Sequence, residues 1–494
     1  MRKKYNYLRF IMTEASEETR TSLIDNMSET AKMMYHEIYR DIRLADGIDK
    51  NATKGFDQDS EVYEVLKLNS NLALMLMELC VILSEEMSRQ NVVERRFLLR
   101  RCVMICHEGY KYLFGFKENA TTTAIRFLDA HSADYQEWIN CINEVHKKYL
   151  QDFGTEEMKQ LRDVAKHYST DSMEFFNCVK NLDEETVAKM IASFMAFAQP
   201  LYHLTLLYLK NELGITFLLA GVERPPFHSI PQFKDLYLSR VVDQSIEKFG
   251  DLILKMDKIG NQGTMVLRRL GANSVKKELR PYLDDNLATH IFYVDMDILC
   301  AYKAFSQAEN FHEQALSLAY LRLSVHEGIK KLYGFGNKHE GSYWFRLKED
   351  FSDVIVSCSL DIEEIEQKLD TLSKMDYVRD EEVALFTHYG DDKHKNIPFE
   401  VIKYFEDKTN DLFIENLTIV INTLTSILPV VPSLMEQENV FLKAKNDQMI
   451  DDSFGKIKGL LELAKAKNPQ LEKSIDLLLK FIKAENEKLK SLFK

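Results

Sequence analysis

The residues best suited to chemistry lie in one short run, residues 161–168, which holds Arg162, Asp163 and His167. An imidazole moves protons near neutral pH, a guanidinium stabilises negative charge, and a carboxylate four residues before the imidazole shares its helix face and can orient it. Arg162 and His167 are about 140° apart around an ideal helix, so neither forms a site alone. The spacing therefore predicts a composite site built by two copies of the run.

An Arg, a polar residue, three further residues and a His in an all-helical unit resembles the signature of HEPN domains. The resemblance implies small helical bundles that work as dimers, many of them ribonucleases that need no metal. It also implies that His167 is the acid or base at the RNA 2′-hydroxyl or the leaving oxygen. Arg162 would then stabilise the phosphorane-like charge, with Asp163 beside the pair.

A second run later in the chain matches this pattern only in part. His388 echoes His167, but Val383 stands where the Arg belongs and Ala384 stands where the Asp belongs. Arg379 lies nine residues before His388, which a helix would place on the opposite side. Either an insertion has moved the Arg, or the second copy has lost the motif.

The chain also contains a doubled stretch, because residues 106–116 return as residues 325–335 with seven of eleven positions identical. We call the separation between these two copies, from Cys106 to Val325, the repeat offset. The polar residues of the stretch are His107 and Glu108 in the first copy, and His326 and Glu327 in the second.

The doubled stretch has two interpretations. One is a polar pair that faces an active cleft. The other is structural, with the His bonded inside the bundle and the Gly allowing close helix approach. We favour the structural interpretation because a mid-helix Gly usually has a packing reason.

A basic cluster precedes the first copy of the stretch and consists of Arg95, Arg96, Arg100 and Arg101. Arg96 and Arg100 are one helical turn apart, and aromatic residues follow downstream, so the cluster is a candidate lining for an RNA groove. The alternative is a solvated helix face whose arginines pair with nearby acidic residues.

Only nine prolines and eighteen glycines occur in 494 residues, which favours long helices and an all-α protein. The doubled stretch predicts two tandem helical-bundle repeats with a C-terminal helical hairpin. The Asn-Leu-Ala runs that begin at Asn71 and Asn286 are taken as equivalent starts of a helix in the two repeats. The segment from this run to the doubled stretch is four residues longer in the second repeat than in the first. The predicted segments are an N-terminal helix and loop (1–60), a first HEPN-like repeat (61–220), a proline-containing linker and leading helix (221–279), a second, degenerate repeat (280–440) and the hairpin (441–494).

The composition restricts the partners and the compartment. The net charge of −13 opposes a whole-molecule attraction to nucleic acid or to an anionic membrane. Seven cysteines, without a CxxC pair, suit a reducing compartment. The start lacks the apolar run of a signal peptide, and the most apolar segment, residues 72–83, is too short to span a bilayer. We therefore expect a cytoplasmic protein without a membrane anchor.

The sequence contains no phosphate-binding loop, dinucleotide fingerprint, zinc-protease motif or serine-hydrolase elbow, so no cofactor and no metal is expected. Two functions follow from the motifs. The first is a HEPN-like protein that binds or cleaves RNA, as a toxin or an anti-phage defence effector, with RNA as its partner. The alternative is a non-catalytic helical scaffold or protein-interaction module. A homodimer or another protein partner is compatible with either function.

Overall fold

The computed structural model describes residues 17–50, 61–89, 91–116, 120–155, 159, 182–214, 236–270, 286–334, 341–374 and 409–491. Over these residues the regular backbone is helical and no strand is present, which confirms the predicted all-α class. The scarcity of glycine and proline is the physical reason, because few positions interrupt the helical hydrogen bonds. The proline-containing linker predicted around residues 221–231 lies outside the described residues.

The helices fall into two sets in chain order, here called the first half (residues 17–214) and the second half (residues 236–467). The first half contains α1 (Glu17–Lys50), α2 (Glu61–Ser88), α3 (Val92–Phe114), α4 (Thr123–Ala130), α5 (Gln136–Phe153) and α6 (Glu184–Leu213). The second half contains α7 (Leu236–Leu270), α8 (Leu287–Gln307), α9 (Phe311–Leu332), α10 (Tyr343–Asp350), α11 (Ser352–Ser357), α12 (Ile362–Lys374), α13 (Thr409–Ile427) and α14 (Val430–Lys467). A 3₁₀ turn (Pro469–Leu471) and α15 (Glu472–Ser491) follow.

One apolar helix lies at the centre of each half. Helix α2 packs against α1, α3 and α6, and every residue from 68 to 87 is buried. Helix α8 packs in the same way against α7, α9 and α14, and it is buried over most of its length. A helix that is apolar all round must be enclosed by others, so these two helices organise the two cores.

The two halves share several local features at positions related by the repeat offset. Asn91 caps the N-terminus of α3 and Asn310 caps that of α9, each with its side chain accepting a backbone N–H of the first turn. The chain leaves α3 at Gly115 with φ of 66°, and it leaves α9 at Gly334 with φ of 87°. A positive φ favours glycine, which explains why both positions keep it. Both the cap pair and the glycine pair have the separation of the doubled stretch.

The glycines inside the doubled stretch lie at close helix contacts. A Cβ built on Gly109 would lie 3.0 Å from the Sδ of Met75, and one built on Gly328 would lie 3.0 Å from the Cγ1 of Val294. Both contacts join the central helix to the next helix, and their residues are again related by the repeat offset. The four-residue difference predicted from the two Asn-Leu-Ala runs is therefore absent here. These parallels support a duplicated unit, which remains an inference.

The helix ends do not all coincide with the predicted segments. Helix α1 continues to Lys50, within the segment 1–60 predicted to hold a helix and a loop, and α7 runs through Gly260 and Gly263. Helix α14 is continuous across the boundary at residues 440 and 441. Each glycine costs a helix only about 1 kcal/mol, which packing of the buried side of α7 offsets.

Three helical segments in the described residues are long and apolar enough to cross a membrane, judged by length and composition alone. They are α2, α6 and the segment from residue 411 to residue 467. The apolar window of α2 is 94% buried inside the protein, and those of the other two are 56% buried. The cytoplasmic location and the absence of a membrane partner stay predictions.

We expect Gly109→Ala to lower the free energy of unfolding by about 1–2 kcal/mol and Gly328→Ala to change it by less than about 1 kcal/mol. Alanine gains about 1 kcal/mol of helix propensity at either position, against about 1–3 kcal/mol for overpacking. The new Cβ at residue 109 would lie 2.8 Å from the rigid ring of Phe194, whereas that at residue 328 would lie 2.8 Å from the Cδ1 of Ile298. The Cδ1 methyl group of Ile298 can rotate away from the new Cβ, whereas the ring of Phe194 cannot.

Equilibrium urea unfolding of the two variants measures this difference directly, provided that the slope with denaturant is unchanged. An equal loss of unfolding free energy in both variants would contradict the assignment of the larger loss to the contact with the Phe194 ring.

Candidate functional site

A polar seam joins the two halves where α2 and α3 meet α8 and α9. We define the seam by nine side chains, which are Glu78, Glu85, Glu94, Arg100 and Arg101 in the first half and Asp297, Lys303, Ser317 and Tyr320 in the second. Glu78 and Glu85 lie on the apolar helix α2, so the seam interrupts the core of each half.

Four hydrogen bonds cross the seam. The hydroxyl of Tyr320 donates to Glu78 at 3.1 Å, and that of Ser317 donates to Glu85 at 2.7 Å. The other two are ion pairs, with Arg100 donating to Asp297 and Lys303 donating to Glu94, both at 2.7 Å. Hydrogen bonds to charged groups contribute about 1.5–3 kcal/mol each where both partners are present.

The seam contacts are reciprocal. When the two halves are compared at the repeat offset, Glu78 corresponds to Asp297 and Arg101 corresponds to Tyr320. Tyr320 donates to Glu78, and Asp297 accepts from Arg100, the neighbour of Arg101. The guanidinium of Arg101 lies 4.2 Å from the centre of the Tyr320 ring, so two corresponding positions touch each other. Reciprocal contacts of this kind are typical of two equivalent units related by a twofold axis.

Burial controls the charges of the seam. It raises the pKa of Glu78 to about 8, against the smaller effect of the Tyr320 hydroxyl, so the carboxyl is mostly protonated at neutral pH. Burial also raises the pKa of Glu85, although Arg89 and the bond from Ser317 oppose it. The pKa of Arg101 is lowered by burial, and its guanidinium is held between aromatic rings.

Two further carboxyls, which lie outside the seam, also have a pKa that is raised by burial. Burial raises the pKa of Glu438 in α14 to about 8, while its side chain accepts a hydrogen bond from Asn286 at 2.7 Å. Asp295 in α8 is fully buried, and neither carboxyl oxygen has a hydrogen-bond partner among the described residues. Burial raises the pKa of Asp295 well above its ordinary value, because the charged form is costly away from water.

Three of the four arginines predicted to line an RNA groove have their charged groups against other side chains of the protein. Arg95 is half-buried and pairs with Glu86 at 2.6 Å and with Glu184 at 3.2 Å. Arg96 is half-buried, whereas Arg100 and Arg101 are buried in the seam. In this conformation neither Arg100 nor Arg101 faces solvent, so neither reaches a phosphate. RNA contact by the remaining cluster stays a prediction.

The predicted catalytic residues lie outside the described part of the chain. These residues are Arg162, Asp163, His167 and His388. The described ends that flank the first run are α5, which ends at Phe153, and α6, which begins at Glu184. The composite HEPN-like site therefore stays a prediction.

The doubled stretch lies within the helix bundle. His107 and Glu108 are buried, and the ring of His107 lies 4.6 Å from that of Phe116. The Glu108 carboxylate lies 3.8 Å from the Nζ of Lys111. His326 and Glu327 are half-buried at the corresponding positions of α9. The histidine and glutamate of the first copy are therefore arranged as parts of the packing.

A cavity of about 720 Å³ adjoins the seam and is lined from both halves. Its polar walls include Ser84, Glu85, Arg89, Glu309 and Glu313. Carboxylates, hydroxyls and one guanidinium together do not select one class of ligand. Among the described residues no group of three or more His, Cys, Asp or Glu is placed to hold a metal ion.

Comparison with protein-family models, characterised proteins and solved structures finds no match to this chain. The HEPN resemblance is thus carried by the sequence motif alone. The seam itself was missed at the level of sequence. Its signal was present, because Glu78 and Asp297 are acidic residues inside the central apolar helices α2 and α8, separated by the repeat offset.

We expect Glu78→Gln to flatten the pH dependence of stability between about pH 4.5 and about pH 8. The pKa of Glu78 is raised from 4.5 to about 8 in the folded protein, so its contribution to stability is full below pH 4.5 and is lost as the pH rises through about 8. Glutamine keeps an oxygen for the Tyr320 hydroxyl but does not titrate. The melting temperature of the variant relative to wild type should therefore rise with pH.

Thermal unfolding at a series of pH values provides the measurement, and Glu363→Gln on the exposed start of α12 is the matched control. The prediction fails if the two variants show the same pH dependence.

Proposed function

We propose that this chain is a non-catalytic helical scaffold that binds protein through its C-terminal hairpin, residues 451–491. The observation that carries the proposal is the exposure of large apolar side chains on both arms. Leu460 is 68% exposed on the first arm, and Leu477 and Phe481 are 69% and 63% exposed on the second. Single exposed apolar residues are ordinary, but a contiguous patch marks an interaction site.

The hairpin already has an inner apolar stripe that holds its two arms together. On the first arm Phe454 and Leu461 are half-buried, and on the second arm Ile475 is buried while Leu479 and Ile482 are half-buried. These residues recur at spacings of three, four and seven, so each set lies on one side of its helix. The exposed residues therefore form a separate surface.

Four of the exposed apolar residues, two on each arm, lie on the same side of the hairpin. Ile457 and Leu460 follow the inner stripe of α14 on one flank, and Leu478 and Phe481 follow that of α15 on the matching flank. We call these four residues the hairpin face. Because the arms are antiparallel, flanks of the same rotational sense face the same way.

Ion pairs fix the alignment of the two arms. Lys465 lies 3.1 Å from Asp476 near the turn, and Lys490 lies 2.7 Å from Asp451 at the open end. This alignment places Leu460 across from the segment that contains Leu478 and Phe481. The hairpin face is therefore one contiguous apolar patch across two helices, which is the form of surface that another helix or helix pair covers.

We expect a photo-crosslinking residue at position 477 to give discrete protein adducts in cells that express the full chain. The matched control is the same residue at position 254 on α7, because Leu254 is 70% exposed and Leu477 is 69% exposed. Adding Leu460→Glu and Phe481→Glu should abolish the adducts at position 477 by placing charges in the apolar patch.

The scaffold proposal is wrong if position 477 gives no adducts, or if adducts form equally from both positions. Circular dichroism checks that the variants retain the helical fold.

A second candidate function is RNA cleavage by a HEPN-like composite site. The observation that favours it is the reciprocal seam, because a composite site needs two equivalent units brought together around a twofold axis. Arg162 and His167 would supply the charge stabilisation and the proton transfer, with Asp163 beside them. His388 would be the partial counterpart from the second half.

For this candidate we expect the full chain to cleave RNA in the presence of EDTA, because no metal takes part. His167→Ala should lower the rate by about 10²-fold or more, as expected for loss of a general acid or base. His203→Ala, an exposed histidine on α6, is the control and should leave cleavage unchanged. Equal cleavage by His167→Ala and wild type, or none by either, rules the candidate out.

A further inference from the structure

We infer that the hairpin face docks against the same face of a second copy of this chain, so that two hairpins close into an antiparallel four-helix bundle. The inference rests on the proposed function, since the same surface binds protein, and it names the partner. Each hairpin has an inner apolar stripe that its own arms cover and an outer apolar face without a cover among the described residues. A helix in a four-helix bundle carries both surfaces.

The face is suited to pairing with itself. A twofold axis through the centre of the patch brings Leu460 of one copy towards the Leu478 and Phe481 side of the other copy, and the reverse contact follows from the symmetry. Aliphatic and aromatic side chains pack in this way without hydrogen-bond partners. The four side chains that define the hairpin face, Ile457, Leu460, Leu478 and Phe481, are apolar and need no hydrogen-bond partner when buried.

The size of the face is near the lower limit for a specific dimer. The arms overlap over about 17 residues, which is about 25 Å of helix, and two adjacent helices are about 20 Å wide. One copy therefore offers about 500 Å², and a pair buries about 1,000 Å², the lower limit for a specific interface. A reversible dimer with a micromolar dissociation constant is the expected result.

Charge opposes this dimer only weakly. Residues 451–491 contain nine lysines and seven acidic residues, so each hairpin carries +2, and the rest of the chain carries −15. Charges on two hairpins that lie more than about 10 Å apart are screened at physiological salt. The apolar area, at about 25 cal/mol per Å², gives a gross contribution well above that repulsion. The dimer should therefore tighten when salt is raised, whereas docking of the basic hairpin onto an acidic surface would weaken.

Sedimentation equilibrium of the full chain over about 1–200 µM tests the inference, since this range brackets a micromolar constant. Wild type should pass from monomer to dimer, and the dissociation constant should fall when sodium chloride is raised from about 0.05 M to about 0.5 M. Leu460→Glu with Phe481→Glu should shift the dissociation constant by more than about 30-fold, to monomer throughout the range. Leu254→Glu with Val356→Glu is the control, because Leu254 and Val356 are 70% and 76% exposed outside the hairpin.

Four results overturn the inference. They are a monomer at all concentrations, a dimer that the hairpin variant retains, a dimer that weakens in salt, and a monomer whose hairpin binds vesicles of phosphatidylcholine with about one third phosphatidylserine. A monomer that still gives adducts to another protein from position 477 leaves the scaffold function standing and excludes the second copy as partner. A monomer that gives no adducts from position 477 rules out both the dimer and the scaffold function.

Discussion

The fold depends on the removal of carboxyl groups from water inside the central apolar helix of each half. An ionised carboxylate in a core is stable only with a partner, and one without a partner takes up a proton instead. Arg100 reaches Asp297 from the other half and pairs with it at 2.7 Å. Burial raises the pKa of Glu78 to about 8, and the hydroxyl of Tyr320 donates to its carboxyl from the other half. Each half therefore holds a buried acid that a side chain of the other half contacts.

This constraint accounts for the positions of the basic residues. A cluster of arginines on a helix surface is usually solvated. Here Arg100 pairs with Asp297 in the seam, and the guanidinium of Arg101 lies over the ring of Tyr320. The doubled motif lies behind the seam, where Gly109 brings α3 close to α2 and α6. The polar side chains of the seam thus hold the halves together, while large apolar side chains of the hairpin remain exposed.

The scarcity of glycine and proline predicted the helical class. The end of α3 at Gly115 and the end of α14 before Asn468 and Pro469 fit the same chemistry. The seam did not follow, because the position of Arg101 along its helix does not tell which helix from the other half will cover it. Helix α7 continues through Gly260 for a similar reason, since tertiary packing outweighs a weak local preference.

The buried acids also make folding of this chain a proton-binding reaction. In the unfolded chain Glu78, Asp295 and Glu438 are exposed and ionised at neutral pH, whereas burial raises all three pKa values in the folded protein. Each molecule that folds near pH 7 therefore withdraws protons from the solvent and holds them in its interior. Each molecule that unfolds returns them, so loss of the native state acidifies a weakly buffered solution.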